Sequence, residues 1–299
     1  MKKKIIVGSR DSKLAVLQTQ LVMDMIKESN PNMELELVTM KTTGDRILNK
    51  TLDKIGGKGL FVKELDQALM EKSVDVTVHS LKDLPMDVNP NLPLLAFIKR
   101  GNPFDCLVMP TDVDIAQMDE TLPMGSSSGR RNTQLGDLFS HMKTAPVRGN
   151  VITRLEKLDR GDFSSLILAR AGLERLGLGN RISKTFTVDE MIPAAGQGIL
   201  VVQGRLGEDY SWLKDVDNKE ARISAMCERA FVRTLDGGCT SPIGAYAQIK
   251  SDQTILLHGF YKNVDTGKYG RMSDMANMKQ WESLAVNLAN KLKEKVDNE

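Results

Sequence analysis

Cysteine is scarce in this chain. Cys106, Cys227 and Cys239 are an odd number in 299 residues and form no CxxC pair, which argues against a disulfide framework and fits a reducing compartment, so the expected location is the cytoplasm. The three histidines, His79, His141 and His258, show no metal spacing, and no metal site is expected. No apolar run approaches the roughly 20 residues of a membrane span. Met1-Lys2-Lys3-Lys4 is basic, yet only Ile5-Ile6-Val7 follows before Gly8, so neither a signal peptide nor a membrane partner is expected. A formal net charge of +2 gives the chain no overall attraction for nucleic acid. Nucleotide motifs are missing too. In Gly56-Gly57-Lys58-Gly59, Leu52 stands where a phosphate loop needs glycine, and Gly59 where it needs Ser or Thr. Gly177-Leu178-Gly179 lacks a third glycine, and Gly196-Gln197-Gly198 runs into a strand-like segment rather than a helix. No Gly-x-Ser-x-Gly elbow, internal repeat or low-complexity segment is present.

What is there is an ordinary globular composition, 41% hydrophobic and 27% charged, on a chain long enough for two or three cores. Ile5–Val7, Leu35–Met40, Val74–Val78, Leu94–Ile98, Leu107–Met109 and Leu166–Ala169 read as strands. Leu14–Ile26 and Leu60–Met70 between them have helical spacing. That alternation predicts an α/β fold with largely parallel sheets. Polar, Gly and Pro residues cluster at Lys99-Arg100-Gly101-Asn102-Pro103 and again at Pro193–Gly198, marking two crossings between lobes, a hinge-like arrangement. The expected division is 1–98 with 199–216, then 103–193, then 218–299. The last unit reads as small and α+β, with a helix at about Lys219–Leu235, strands near Ala245–Ile249 and Thr254–Phe260, and a terminal helix with Trp281, Leu284, Ala285, Leu288 and Leu292 on one face.

Three groups of residues carry chemistry. Asp75–Pro85 begins as a β-branched strand and ends in His79, Ser80, Lys82 and Asp83 before Pro85, at the kind of strand end where open α/β sheets bind ligands. Of 16 arginines, eight lie between Gly125 and Arg181. Arg130-Arg131 follow the small-residue loop Gly125–Gly129, Arg148 and Arg154 flank another loop, Arg175 follows an Ala-Gly-Leu turn, and Arg10 ends the first strand. Arginine at such places suits bidentate binding of carboxylate or phosphate. A local basic cleft on a near-neutral chain implies a small polyanion and no nucleic-acid partner. Cys239 lies on a loop between Gly237-Gly238 and Pro242, a candidate nucleophile or attachment point. Cys106 and Cys227 sit in apolar contexts as small buried side chains.

Together these motifs resemble the porphobilinogen deaminase (hydroxymethylbilane synthase) family nearly end to end. The likeness runs through Gly8–Ala15, Thr43-Gly44-Asp45, Gly56–Leu65, Val78–Pro85, Ser126–Arg131, Arg148–Arg154, Ala171-Gly172-Leu173, Gly196-Gln197-Gly198 and Gly237-Gly238-Cys239. The resemblance implies two lobes similar to periplasmic binding proteins and a third small domain, in a monomer. It implies a dipyrromethane cofactor joined by a thioether to Cys239. Four molecules of the substrate porphobilinogen are then added head to tail, each with loss of ammonia, and hydrolysis releases hydroxymethylbilane.

By the same resemblance Asp83 is the catalytic residue. Ser80, Lys82, Ser126, Ser127, Ser128, Arg130, Arg131, Arg148, Arg154 and Gly198 match cofactor contacts. Arg10, Ser12, Arg148, Arg154 and Arg175 match substrate contacts, and Lys54 and Lys58 a mobile loop. The residue reading fits: the substrate's acetate and propionate groups suit guanidinium forks, and a fixed carboxylate suits the cation left by loss of ammonia. The chain departs from the family pattern in three places, one of them a residue pair. Gly129 replaces leucine and is expected to loosen the Arg130-Arg131 loop, while Val202-Gln203 and Thr77 are expected to alter packing near the crossing. A non-catalytic anion-binding protein would use the arginines and hinge but give Asp83 and Cys239 no task. A thiol hydrolase would need a base beside Cys239, and His258 is merely the nearest histidine in sequence.

Overall fold

The computed structural model describes residues 4–46, 62–238, 241–250 and 252–298. Its strands are β1 (Lys4–Arg10), β2 (Glu34–Met40), β3 (Val76–Ser80), β4 (Leu94–Phe97), β5 (Asp105–Val108), β6 (Met124–Gly125), β7 (Thr144–Ala145), β8 (Ser165–Ala169), β9 (Lys184–Thr185), β10 (Leu200–Gly204), β11 (Ile243–Ile249), β12 (Thr254–Lys262) and β13 (Tyr269–Asn277). They form three sheets, ordered β2-β1-β3-β10-β4, β7-β6-β8-β5-β9 and β11-β12-β13.

The first two sheets are mixed, which corrects the expectation of largely parallel ones. β1 is parallel to β2 and β3, and β6 to β7 and β8, but β10 runs antiparallel to β3 and β4, and β5 antiparallel to β8 and β9. Both reversed strands directly follow a crossing. The chain leaves β4 for β5 and leaves β9 for β10, and each time it enters its new sheet from the far end. Hydrophobic periodicity reports which residues are inside but not the direction in which a strand is laid down, so this was invisible in sequence.

Helices cover these sheets. In α1 (Lys13–Ser29), Ser12 Oγ accepts from Ala15 N at 3.2 Å, and Val22, Met23 and Ile26 turn inward. They meet Ile5, Val7, Val76, Val78, Leu200 and Val202 from the sheet. Helix α2 (Lys63–Met70) buries Leu65, Ala68 and Leu69. In the second lobe, α3 (Gly129–Leu138), α4 (Val151–Asp159) and α5 (Arg170–Arg175) follow β6, β7 and β8. The third sheet is an antiparallel meander packed on α6 (Lys219–Thr234) and α7 (Trp281–Asn298), with Phe231, Leu257, Leu284, Leu288 and Leu292 in its core. Strand β13 was not legible because its run Tyr-Gly-Arg-Met-Ser-Asp-Met-Ala-Asn is half-exposed and mostly polar. Among the described residues, no helix is long and apolar enough to cross a membrane.

The two crossings lie side by side. Ile98 N donates to Leu200 O at 2.9 Å and Gly101 N to Gly198 O at 3.1 Å. Gly198 has φ +89°, and a Cβ there would stand 2.7 Å from the Gly101 carbonyl oxygen, so glycine is required.

Candidate active site

Strand β3 delivers the candidate loop. Leu81 and Leu84, both fully buried, anchor a 3-10 turn over Leu81–Asp83, closed by Leu84 N donating to Leu81 O at 3.1 Å. With the leucines held inside, Lys82 and Asp83 stand half-buried at the strand's carboxyl end. Ser80 Oγ bonds to Gln18 Oε1 of α1 at 3.0 Å. His79 is buried, with Nε2 2.8 Å from Thr77 Oγ1. Burial first and the charge of Arg10 second lower the His79 pKa to about 4, with Gln203 opposing them, so this imidazole is neutral. Two of the three family departures have a joint place: Thr77 and Gln203 are paired across β3 and β10, and Thr77 Oγ1 meets His79. Packing there is closed, with Gln203 Nε2 also donating to Leu92 O at 2.9 Å.

Arg148 stands on a loop and Arg10 ends β1, but Arg130, Arg131, Arg154 and Arg175 stand on helices where loops and turns were expected. Gly129 opens α3, capped by Ser128, so Arg130 and Arg131 ride on a helix and not on the loop expected to be loosened. Both side chains are buried on Asp105. Arg131 Nε and Nη2 reach its Oδ1 at 3.0 and 2.7 Å, and Arg130 Nη1 lies 2.8 Å from Oδ2. Burial works to raise the Asp105 pKa, but the two guanidiniums and Gln197 hold it well below the usual carboxylate range. Nη1 of Arg130 also donates to Ile192 O at 2.7 Å, and Nη1 of Arg131 to Ile167 O at 3.0 Å. Ser126 is buried, and Ser127 Oγ exchanges hydrogen bonds with Val147 O and N at 2.8 and 2.9 Å, so these serines build the turn before α3.

Arg154 is also helical, on α4 behind the Asn150 cap, with Nε donating to Gly149 O at 2.9 Å. Burial lowers its pKa to about 10, the charges of Arg131 and Arg148 push the same way, and Asp83 opposes them. Lys82 is lowered to about 8, chiefly by burial, with Asp83 and Asp105 opposing and Arg131 and Arg130 adding to the effect. These interactions bring Lys82, Asp83, Arg130, Arg131, Arg148 and Arg154 into one electrostatic neighbourhood between the lobes, in which cations outnumber carboxylates. Arg10 acts on His79 from the end of β1. Ser12 caps α1. Arg175 closes the short helix α5, where a turn was anticipated, and donates from Nη2 to Gly198 O at 2.6 Å, bracing the crossing.

Lys54, Lys58 and Cys239 lie outside the described residues. Just before Cys239, Gly238 N donates to Ser241 Oγ at 2.9 Å. Cys106 and Cys227 are buried thiols, as anticipated, and burial pushes Cys227 well up and Cys106 up to about 12. His258 stacks on Tyr246 and bonds to Ser273, and His141 sits beside Glu120 at the surface. No group of metal-ligating side chains occurs among the described residues.

Sequence reading missed Asp105, Gln197, Arg100 and Glu228. Arg100 and Glu228 form a two-point ion pair, and Glu228 Oε2 and Oε1 also accept from Gly196 N and Ala247 N at 2.7 and 2.8 Å. One signal was available. Asp105 heads the apolar run Cys106-Leu107-Val108, and a carboxylate carried into a core needs a cationic partner.

Comparison with known families gives two adjoining matches. The family model described as porphobilinogen deaminase, dipyromethane cofactor binding domain, matches residues 5–211, and porphobilinogen deaminase, C-terminal domain, matches residues 222–294. The chain is 57% identical over 266 residues to the porphobilinogen deaminase of Ruminiclostridium cellulolyticum, covering 89% of each chain. It is 53% identical over 290 residues to that of Alkaliphilus oremlandii, covering 97% of each. Among solved structures, the methionine binding protein MetQ aligns with a TM-score of 0.45 at 12% identity, over 76% of this chain and 94% of that one.

Proposed function

The chain belongs to the porphobilinogen deaminase family, and we propose that Asp83 is its catalytic carboxylate and Cys239 the anchor of its cofactor. The reaction is the deamination and head-to-tail joining of four porphobilinogen molecules, followed by hydrolytic release of hydroxymethylbilane. The observation that carries the residue assignment is the half-buried Asp83 set among Lys82, Arg131, Arg148 and Arg154.

The donor set suits the group it would hold. A dipyrromethane is multiply carboxylated, and partly desolvated guanidiniums bind carboxylates two-pronged. Arg148, Arg154 and Lys82 are the residues we assign to its acid side chains, with Arg131 held rigid behind them by Asp105. When bound, the group supplies an electron-rich pyrrole end for chain extension. Asp83 Oδ accepts pyrrole N–H hydrogen bonds and stabilises the cation formed when the substrate's amine departs as ammonia. Partial burial strengthens that interaction over its value in water. Arg10, Ser12 and Arg175 are assigned to the incoming substrate's carboxylates, and Lys54 and Lys58 to a segment over the cleft. The proposed units are 1–98 with 199–216, 103–193 and 218–299, acting as a cytoplasmic monomer. The buried free thiols Cys106 and Cys227 support a reducing compartment.

Intact-mass spectrometry tests the anchor. Wild type is expected to carry one dipyrromethane, and Cys239→Ala none; an unmodified yet active wild type would overturn the assignment. Asp83→Ala is expected to keep its far-UV signature and lose at least 100-fold in kcat. Turnover near the wild-type rate would remove Asp83 from its role.

A further inference from the structure

The motif Gly196-Gln197-Gly198 lies where the second crossing passes both lobes. Its glycines fix the backbone. Gly196 (φ +74°) would place a Cβ 2.7 Å from Leu81 of the candidate loop, and Gly198 is pressed against Gly101 of the other crossing. The Gln197 side chain between them is buried. Its Nε2 donates to Pro103 O at 2.7 Å and to Asp105 Oδ1 at 3.0 Å. Both partners are pure acceptors, so the nitrogen must face them. The oxygen is thereby turned toward Lys82, whose Nζ donates to Oε1 at 3.4 Å. Arg100 Nε fixes the same residue from behind, donating to Gln197 O at 2.9 Å.

We infer that Gln197 is a positioning residue that holds Lys82 of the first lobe in register with the Asp105–Arg130–Arg131 cluster of the second. One amide can do this and neither a carboxylate nor an apolar chain can. A carboxylate would set a second negative charge about 3 Å from Asp105 Oδ1. An apolar chain would leave Pro103 O without this donor and Lys82 without its neutral acceptor. The charged groups acting on Lys82 are Asp83, Arg131, Asp105 and Arg130, and Gln197 is the uncharged partner among them. The inference rests on the proposed role of Lys82 at the cofactor, but its test does not depend on turnover.

The experiment is competitive labelling of Lys82 by a short acetic anhydride pulse across pH 6–10, read by peptide mass spectrometry on purified holoenzyme. Wild type is expected to titrate near 8. In Gln197→Met, of similar volume, the midpoint should move down by about one pH unit, the size of a lost hydrogen bond to a charged group. Gln197→Glu should move it up. In Gln197→Met, kcat/KM should fall about tenfold, and that loss should shrink to under threefold in a Lys82→Gln background. A Lys82 midpoint unchanged in both folded variants, or a full tenfold loss persisting without Lys82, would overturn the inference. Should Gln197→Met not fold, Gln197→Ala, which removes the amide without adding charge, takes its place with the same expected downward shift, and an unchanged midpoint there would overturn the inference. Failure of wild type to consume porphobilinogen would instead defeat the functional reading and leave the Lys82 titration measurable.

Discussion

At the scale of single residues, the site depends on which ionisable groups are kept neutral and which are kept charged. His79 stands two residues before Leu81 and the candidate loop, yet it is buried against Thr77 and depressed to about 4 by burial first and the charge of Arg10 second. Unfolded, it titrates near 6.5. Between those values the unfolded chain binds a proton that the folded one does not, so stability rises with pH across the window. His79 therefore contributes stability that is complete above about pH 6.5 and is lost as pH falls toward 4, roughly 3 kcal/mol in all. Urea denaturation of wild type and His79→Gln at pH 4.5 and 7 checks this. The variant should lose markedly less stability than wild type between the two pH values, and parallel losses would show that His79 is not the group responsible.

Among elements, the crossings decide the geometry of the site. Gly198 accepts from Gly101 N and from Arg175 Nη2 while holding a left-handed φ. Gly198→Ala adds backbone strain and drives a methyl toward the Gly101 carbonyl, at a cost of about 1–3 kcal/mol. Thermal denaturation should show a lowered Tm, and an unchanged Tm would mean that the crossing relaxes freely. The crossings were legible as polar, Gly- and Pro-rich breaks, and the runs feeding them were legible as strands because β-branched and apolar residues cluster there. What those breaks do to the sheets was not legible: β5 and β10 are reversed by the path of the chain rather than by their own composition. Helices α3 and α5 were misread as loops or turns because Ser, Gly and Arg dominate their starts, and the Ser128 cap that makes α3 a helix is a single side chain. Arg130 and Arg131 were legible as important but not as partners of Asp105, since their ion pair spans more than 20 residues of sequence.

For the whole molecule, α6 ties the small third unit to everything else. Arg229 Nη2 donates to Pro85 O and Met86 O at 2.6 and 2.8 Å, just beyond the candidate loop, and Arg222 Nη2 to Leu95 O at 2.7 Å. On the other side, β13 reaches the second lobe through Tyr269 Oη on Asp137 Oδ1 and Arg271 on the Asp189 and Glu190 carbonyls. Glu228 sits at the centre, fully buried, joined to Arg100 of one crossing, Gly196 of the other and Ala247 of β11. No local pattern could announce it: one glutamate in a run of α6 reads as a surface charge until three distant segments converge on it. Replacing it by Gln keeps the size but leaves the Arg100 guanidinium without its counter-charge, a loss of roughly 3–5 kcal/mol for a buried pair. That loss falls on the contacts between units, not on the core within any of them. Scanning calorimetry of Glu228→Gln should therefore separate an early transition from a later one where wild type shows a single cooperative event. A single transition displaced by less than about 1 kcal/mol would mean that the arginine contacts of α6 suffice to couple the third unit without Glu228.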